Sequence, residues 1–465
     1  MRSATTAISS IGKCEGKQVS GNGSEPRRID VPILTRVEGE GALRIVVNQG
    51  KLEKAELNIY EPPRFFEAFL RSRSIEEVAD ITARICGICP IAYQMTALQA
   101  IEQALGIDVP KEIQKLRRLM YFGEWIESHA LHIHLLHAPD FFGCESGLAL
   151  AKKNPEAVQR GLKIKKIGNR LLEVLGGRAI HPVNLAVGGF FRLPRREELH
   201  ELIDDFNWGL EASIGAAKWI GGLDFPEFHS PSVYVAMQHP EEYALMHGHI
   251  ACSDRTKYSI NDYEKHFTEE HVAHSTALHS RRNGDSATYQ VGPLARVNLN
   301  FEQLSPAARQ VAEQLKWNPP CSNPFESIFA RILEVIHSFE EGLEIIKAYR
   351  PLAEPRVRGK LRSSEGCSAT EAPRGLIYHR YRIDSEGLVE FAKIVPPTSQ
   401  NQKQIESDLR AEIPPMLDKT NDEIALHCEK LIRNYDPCIS CSTHFLKLER
   451  VDSSEDSGTS TPSSL

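Results

Sequence analysis

The chain is expected to fold as a mainly α protein with small β elements. Long stretches place apolar residues at three- and four-residue spacing, and short runs near either end alternate apolar and polar. Polar, Ser-rich segments bracket this pattern. Residues 1–28 read as a flexible leader, because they are Ser/Gly-rich and mixed in charge. From Val31 to Tyr60 the sequence alternates, and Asn48-Gln49-Gly50 supplies turn chemistry, so a β-hairpin is expected. Helical spacing then runs through PPRFFEAFLRSRS, AYQMTALQAIEQALG and EIQKLRRLMYFGEWIESHALHIHLLH. It returns over 151–175, 195–220 and 323–349. Residues 223–285 are more polar, contain Pro and aromatic residues, and suit shorter elements. GLIYHRYRIDSEGLVEFAKIVPP reads as a second hairpin turning at Asp384–Gly387. A last helix over 420–434 leads into DPCISCSTH, and Phe445–Leu465 is a polar tail.

With 465 residues, 41% of them hydrophobic and 25% charged, the chain can bury a sizeable core. A net charge of −7 offers no basic field for a nucleic-acid backbone. No apolar run approaches the roughly 18 residues of a membrane span. The first 23 residues lack the apolar core of a signal peptide, so a cytoplasmic location is expected unless a partner carries an export signal.

Ten cysteines in such a chain are expected to stay reduced. Cys14, Cys144, Cys252, Cys321, Cys367 and Cys428 stand alone and suit small apolar core positions. The other four form two CxxC pairs, Cys86/Cys89 and Cys438/Cys441. Such a spacing lets two thiolates face one metal, and two pairs make a four-sulfur set for zinc, copper(I), nickel or iron. Structural zinc sites normally draw both pairs from nearby knuckles, whereas these lie about 350 residues apart. From spacing alone a buried redox metal, a zinc staple and independent thiols all stay open.

The residues around the pairs narrow the choice. RICGICP (84–90) and DPCxxCxxH (436–444) resemble the two metal-binding signatures of nickel–iron hydrogenase large subunits. RVEGEG at Arg36–Gly41 is similar to that family's R-[IV]-E-G motif. PRFFEAFL, SHALHIHLLHAPDF, GGRAIHPVNLAVGG, NPFESIFARILEV, EAPRGLIYH and VPPTSQN resemble further blocks in the same order, so the resemblance runs from about Ile33 to His444.

The resemblance implies a hydrogenase large-subunit-like helical core over 29–444 that splits dihydrogen heterolytically and reversibly. All four cysteines would bind nickel. Cys86 and Cys438 would be terminal, while Cys89 and Cys441 would bridge to an iron carrying carbon monoxide and cyanide. Cys438 would take the proton and Glu38 relay it outward. Arg374 would sit over the open metal site, Pro373 and Thr398 contact the cyanides, and Asp140 and Asp436 orient Arg374 and the cysteine loops. Glu67, the Ile394 carbonyl and His444 would hold a structural magnesium. On the residues alone, Glu38 reads as a surface charge and Asp436 as a turn starter. His129, His132, His134 and His137 are spread around their helix by spacing and are read as core polar residues, not ligands.

Two positions depart from the pattern: Glu40 and Tyr93 stand where many members have histidine. Such variants resemble the cytoplasmic bidirectional group coupled to NAD(P). The chain has no further cysteine cluster for iron–sulfur centres and no dinucleotide fingerprint. The resemblance therefore implies an iron–sulfur small subunit, diaphorase-type subunits, nickel-insertion chaperones and a maturation protease that removes Phe445–Leu465. The rival readings are a zinc-stapled structural or assembly protein and a complex I-type subunit, the latter disfavoured because all four cysteines are kept.

Overall fold

The structure is a computed structural model and describes residues 26–284 and 287–443. The leader up to residue 25, the tail and His444 lie outside the described residues.

The expected N-terminal hairpin forms from Gly41–Asn48 and Lys51–Ile59, and Arg27–Val31 joins it as a third antiparallel strand. Gln49 and Gly50 both have positive φ, 49° and 74°, the twist that closes a two-residue hairpin without splaying its strands. Alternation puts Leu43, Ile45 and Val47 on one face with Ala55, Leu57 and Ile59. That face packs on Ile405, Leu409, Ile424 and Leu431, from the helices Pro397–Glu412 and Asn421–Asn434. Burial of this sheet therefore brings the two ends of the chain together, as a site built from both CxxC pairs requires.

The helical core comprises Pro90–Leu105, Lys111–Leu131, Pro155–Gly176, Ile203–Ile220 and Ser327–Ala348. Lys111–Leu131 and Pro155–Gly176 cross at Gly123 and Gly168. A Cβ on Gly168 would lie 2.6 Å from the Gly123 carbonyl, so the close approach needs glycine there. The expected helix over 151–175 breaks at Asn154-Pro155, where proline opens a new helix, and that over 195–220 divides into Arg196–His200 and Ile203–Ile220. After Leu131 the backbone widens into a π-helical turn, His132–His137.

The C-terminal β patch is a three-stranded meander, Ser364–Ala372, Gly375–Ile383 and Val389–Val395. Its second turn is closed by Asp384, whose Oδ1 accepts from the N–H groups of Glu386 and Leu388. The last helix is capped at Thr420, whose side chain accepts from Glu423 N while Glu423 reaches back.

The middle of the chain departs from expectation. Residues 233–290 hold a third β region: a four-stranded sheet containing Val233–Gln238 and His249–Cys252, and a hairpin, Phe267–Val272 with Ser275–Arg282. Val233–Gln238 is buried on both faces, so it shows no alternation to read.

Candidate metal centre

Each cysteine pair sits where a helix meets a loop. Pro90 at the first helical position fixes the start of Pro90–Leu105 directly after Cys89. The free N–H groups of Ile91 and Ala92 donate to buried Glu124, at 2.6 and 3.2 Å. Within the loop, Cys86 Sγ accepts from the N–H groups of Ile88 and Cys89, both at 3.3 Å. The second pair follows the Asn421–Asn434 helix through Asp436, held at φ 50°, and Pro437.

Backbone from Glu38 pairs with this second loop. Ile439 N donates to Glu38 O at 2.9 Å and Glu38 N to Pro437 O at 3.4 Å. Cys438 N donates to Thr398 Oγ1 at 3.0 Å. Arg64 fastens the loops to each other: its guanidinium donates to the carbonyls of Ile85 and Ser440, and its N–H to Thr443 O. Nothing in the spacing of the sequence singled out Arg64.

The four cysteines are thus brought together and buried. The sulfurs of Cys86, Cys438 and Cys441 fall within 4.8 Å of one another, with 3.6 Å between Cys86 and Cys438. Cys89 lies at the helix head and interacts with the same three thiols. Burial pushes the Cys438 thiol up, whereas hydrogen bonds from Cys438 and Cys441 hold that of Cys86 well below its usual range. No disulfide forms among the described residues, and Cys144, Cys252, Cys367 and Cys428 are buried singly.

Two charged side chains meet this cluster. Glu38 Oε2 accepts from Cys438 Sγ at 3.0 Å and from Ser440 N at 3.1 Å. Arg374 is buried and tied to Asp436, with Nε 2.8 Å from its carbonyl and Nη2 3.2 Å from Oδ1. Burial opposes the Arg374 charge, but Asp436 and then Cys438 outweigh it. Its Nη1 is buried without a hydrogen-bond partner. A guanidinium N–H left unpaired beside thiolates fits an anionic group above the sulfurs. Four soft donors and this orphaned N–H therefore fit a thiolate-bound metal centre.

The remaining expected positions divide. The Pro373 carbonyl accepts from Arg296 Nη2 at 2.9 Å, beside Arg374. Asp140 corrects one expectation, because it does not orient Arg374. It bridges Arg36 of RVEGEG, at 2.5 Å, and Arg433, at 2.8 and 2.9 Å. Asp140 thus ties the Glu38 loop to the helix that carries the second cysteine pair. Burial works against its ionisation, yet Arg433 and Arg36 outweigh that and hold its carboxyl below the usual range. The stability it contributes is present above the ordinary carboxylate range and is lost as pH falls through the lowered value. Asp140→Asn removes the carboxylate that Arg36 and Arg433 share, leaving Arg433 only the Glu429 carboxylate at 3.7 Å, and is expected to cost about 2 kcal/mol, read as a lowered melting temperature at neutral pH.

Glu67 Oε1 accepts from the N–H of Ile394 at 2.8 Å. Burial raises Glu67 to about 7, and nearby Glu269 is raised by burial to about 7 as well. Glu269, itself 3.7 Å from Lys393, pushes Glu67 up further; His444 lies outside the described residues. The four histidines are buried with separate partners. His129 faces Glu334 at 2.9 Å, His132 meets the Arg433 carbonyl at 2.9 Å, His134 stacks on Trp219, and His137 meets Asn434 at 2.7 Å. Tyr93 is buried close to Cys441. The N–H of Glu40 donates to Glu61, which also accepts from Ser440 Oγ at 3.2 Å. Glu61 and Ser440 were not singled out from the sequence.

No helix among the described residues is long and apolar enough to cross a membrane. The family model described as nickel-dependent hydrogenase matches residues 64–161 and 253–444. The chain is 35% identical to the sulfhydrogenase 2 alpha subunit of Pyrococcus furiosus over 423 residues, covering 90% of this chain and all of that one. It is 26% identical to the beta subunit of the NAD-reducing hydrogenase HoxS of Cupriavidus necator, covering 90% and 95%. An NAD+-reducing [NiFe]-hydrogenase solved in its H2-reduced state superposes with a TM-score of 0.79 at 25% identity, covering 90% of this chain and 99% of that one. With this similarity along the chain and four thiols gathered at one buried point, the protein belongs to the nickel-dependent hydrogenase family, as a large, catalytic subunit.

Proposed function

We propose that Cys86, Cys89, Cys438 and Cys441 would hold a nickel–iron centre, with Cys86 and Cys438 serving nickel alone, Cys89 and Cys441 shared with the iron, and carbon monoxide and cyanide on the iron. When bound, this centre supplies the two-electron chemistry that splits dihydrogen heterolytically. The chain's own groups handle the proton. Cys438 accepts it at Sγ, and Glu38 Oε2, 3.0 Å away, receives it next. That contact, inside a set of four buried cysteines, is the observation that carries the reading. Arg374 offsets the negative charge of the thiolates and offers its free Nη1 towards the centre, while Asp436 fixes its plane. Pro373 and Thr398 flank the cyanides. Glu67, Ile394 and His444 hold magnesium, with Glu269 beside Glu67 adding charge. Elemental analysis and infrared spectroscopy of the purified complex test this. Nickel and iron near one each per chain, with bands from bound carbon monoxide and cyanide, are the expected result; zinc alone overturns it.

Arg374→Lys is expected to keep both metals and lose about 10²-fold or more in hydrogen-dependent dye reduction. A lysine ammonium is a point charge that cannot hold both Asp436 contacts and still direct an N–H at the centre.

The described residues contain no second cysteine cluster, so electrons leave through an iron–sulfur small subunit. Similarity to NAD-reducing hydrogenases supports NAD(P) as the final acceptor, through diaphorase-type subunits, in the cytoplasm. Nickel-insertion chaperones load the site, and a dedicated protease then removes Phe445–Leu465. Intact mass of the active protein checks this: a chain ending at His444 is expected, and one ending at Leu465 overturns it.

A further inference from the structure

A second group of metal-ligating side chains lies away from the cysteines. His274, His279 and Glu406 each bring one ligand atom to a point where all three fall within 4.8 Å of one another. They come from three different local structures. His274 is in the turn of the Phe267–Val272/Ser275–Arg282 hairpin, His279 is in its second strand, and Glu406 lies in the third turn of the Pro397–Glu412 helix. The hairpin register shifts between Ser275 and His279, an irregularity of the kind that re-aims a side chain. Thr276, inside the irregular stretch, donates to the carbonyls of both Ile59 and Glu61, which locks it against the N-terminal sheet.

The donor set is incomplete as a protein-only network. His274 Nε2 and the N–H of Leu57 both approach Glu406 Oε1, at 2.7 and 2.9 Å. His279 is 2% exposed, and its Nε2 is buried with no hydrogen-bond partner. A buried imidazole nitrogen without a partner is costly unless something completes it. Two cations face the group, and both have partners: Lys403 is held by Glu270 at 3.1 Å, and Arg410, which faces Glu406, donates to the Glu53 carbonyl at 3.4 Å. The His274 side chain is 22% exposed, so an ion can enter from that side.

We infer that His274, His279 and Glu406 form a binding site for a borderline divalent cation of the zinc type. Two imidazoles and one carboxylate are a zinc donor set, and a water completes the tetrahedron. The ion would staple the hairpin to the helix whose first turn carries Thr398 and Ser399. Ser399 and Lys403 already bond Glu269 and Glu270 of the same hairpin, at 3.0 and 3.1 Å, and the ion would add a third tie between hairpin and helix. The role is structural, distinct from the four-cysteine centre.

The purified holoenzyme, equilibrated with micromolar Zn2+ and then desalted, provides the test. Expected are one zinc per large subunit beyond its nickel and iron, an anomalous peak between the three side chains, and a zinc X-ray absorption spectrum with only nitrogen and oxygen neighbours at about 2.0 Å. His279→Ala and the more exposed His274→Ala should each lose that zinc while nickel, iron and hydrogenase activity stay. No retained zinc in the wild type, sulfur neighbours at about 2.3 Å, or zinc unchanged in a folded His274→Ala protein would each overturn the site.

Discussion

Cys438→Ser is expected to yield a folded chain with background nickel and hydrogenase activity lowered by at least about 10³-fold, some 4 kcal/mol on the barrier. A thiolate is a soft donor that ionises within reach of neutral pH, whereas a serine hydroxyl stays protonated and is a hard oxygen. On the proposed proton route the substitution also removes the atom from which Glu38 would take its proton, so residual metal would not restore turnover. The fold should tolerate the change, because sulfur is not what holds this loop. Cys438 N remains on Thr398, Ile439 N remains on the Glu38 carbonyl, and Arg64 still fastens Ile85 to Ser440. A serine hydroxyl can donate to Glu38 as the thiol does, so the stability change should stay within roughly 1 kcal/mol. Metal content read beside a melting curve separates the two effects. Nickel retained at one per chain would show that three sulfurs suffice and that Cys438 is not a ligand.

Legibility in the sequence followed the physics of each segment. The hairpin at Gln49-Gly50 and the start of the last helix at Thr420 could be read because local chemistry decides them: positive φ in one case, a side chain satisfying free N–H groups in the other. Pro397–Glu412 could not. Its buried positions include Thr398, Gln400, Asn401, Gln404 and Asp408, so no apolar stripe marks a helix that nevertheless sits inside the protein. What holds it is a set of long-range polar contacts, such as Asn401 Oδ1 to Val291 N and Asp408 to Ser230. Ser364–Ala372 escaped for a related reason: it is a strand buried against the Pro90–Leu105 helix, with Gly366 close under Ala100, and it shows no alternation. At the site, the cysteines and their spacing were visible, and so were the family blocks. Arg64, Ser440 and Glu61 were not, because they matter through contacts that only the folded chain makes. Asp140 shows the limit from the other side. Its partners, Arg36 and Arg433, come from opposite ends of the chain, so no local pattern could name them.

Glu38→Gln isolates the proton from the metals. The backbone of Glu38 pairs with the Cys438 loop whatever its side chain, and a glutamine of the same length can still accept from Ser440 N. Nickel, iron and the infrared bands should therefore match the wild type. What an amide lacks is a carboxylate that takes a proton and gives it up, so hydrogen oxidation and H/D exchange into solvent are expected to fall by about 10²–10⁴-fold. Glu38→Asp keeps the carboxylate but withdraws it by one methylene from Cys438 Sγ, and should fall between the two. Beyond Glu38 the contacts continue outward: Ser440 touches Glu38 through its N–H and Glu61 through its hydroxyl, and Glu61 is partly exposed. Near that rim water offers parallel routes, so Glu61→Gln should slow exchange far less than Glu38→Gln. The ordering matters more than either value. Unchanged exchange in Glu38→Gln with both metals present would mean that the proton leaves Cys438 by another path. A Glu61→Gln loss as deep as that of Glu38→Gln would mean a single file to solvent, with no relief from water at its mouth.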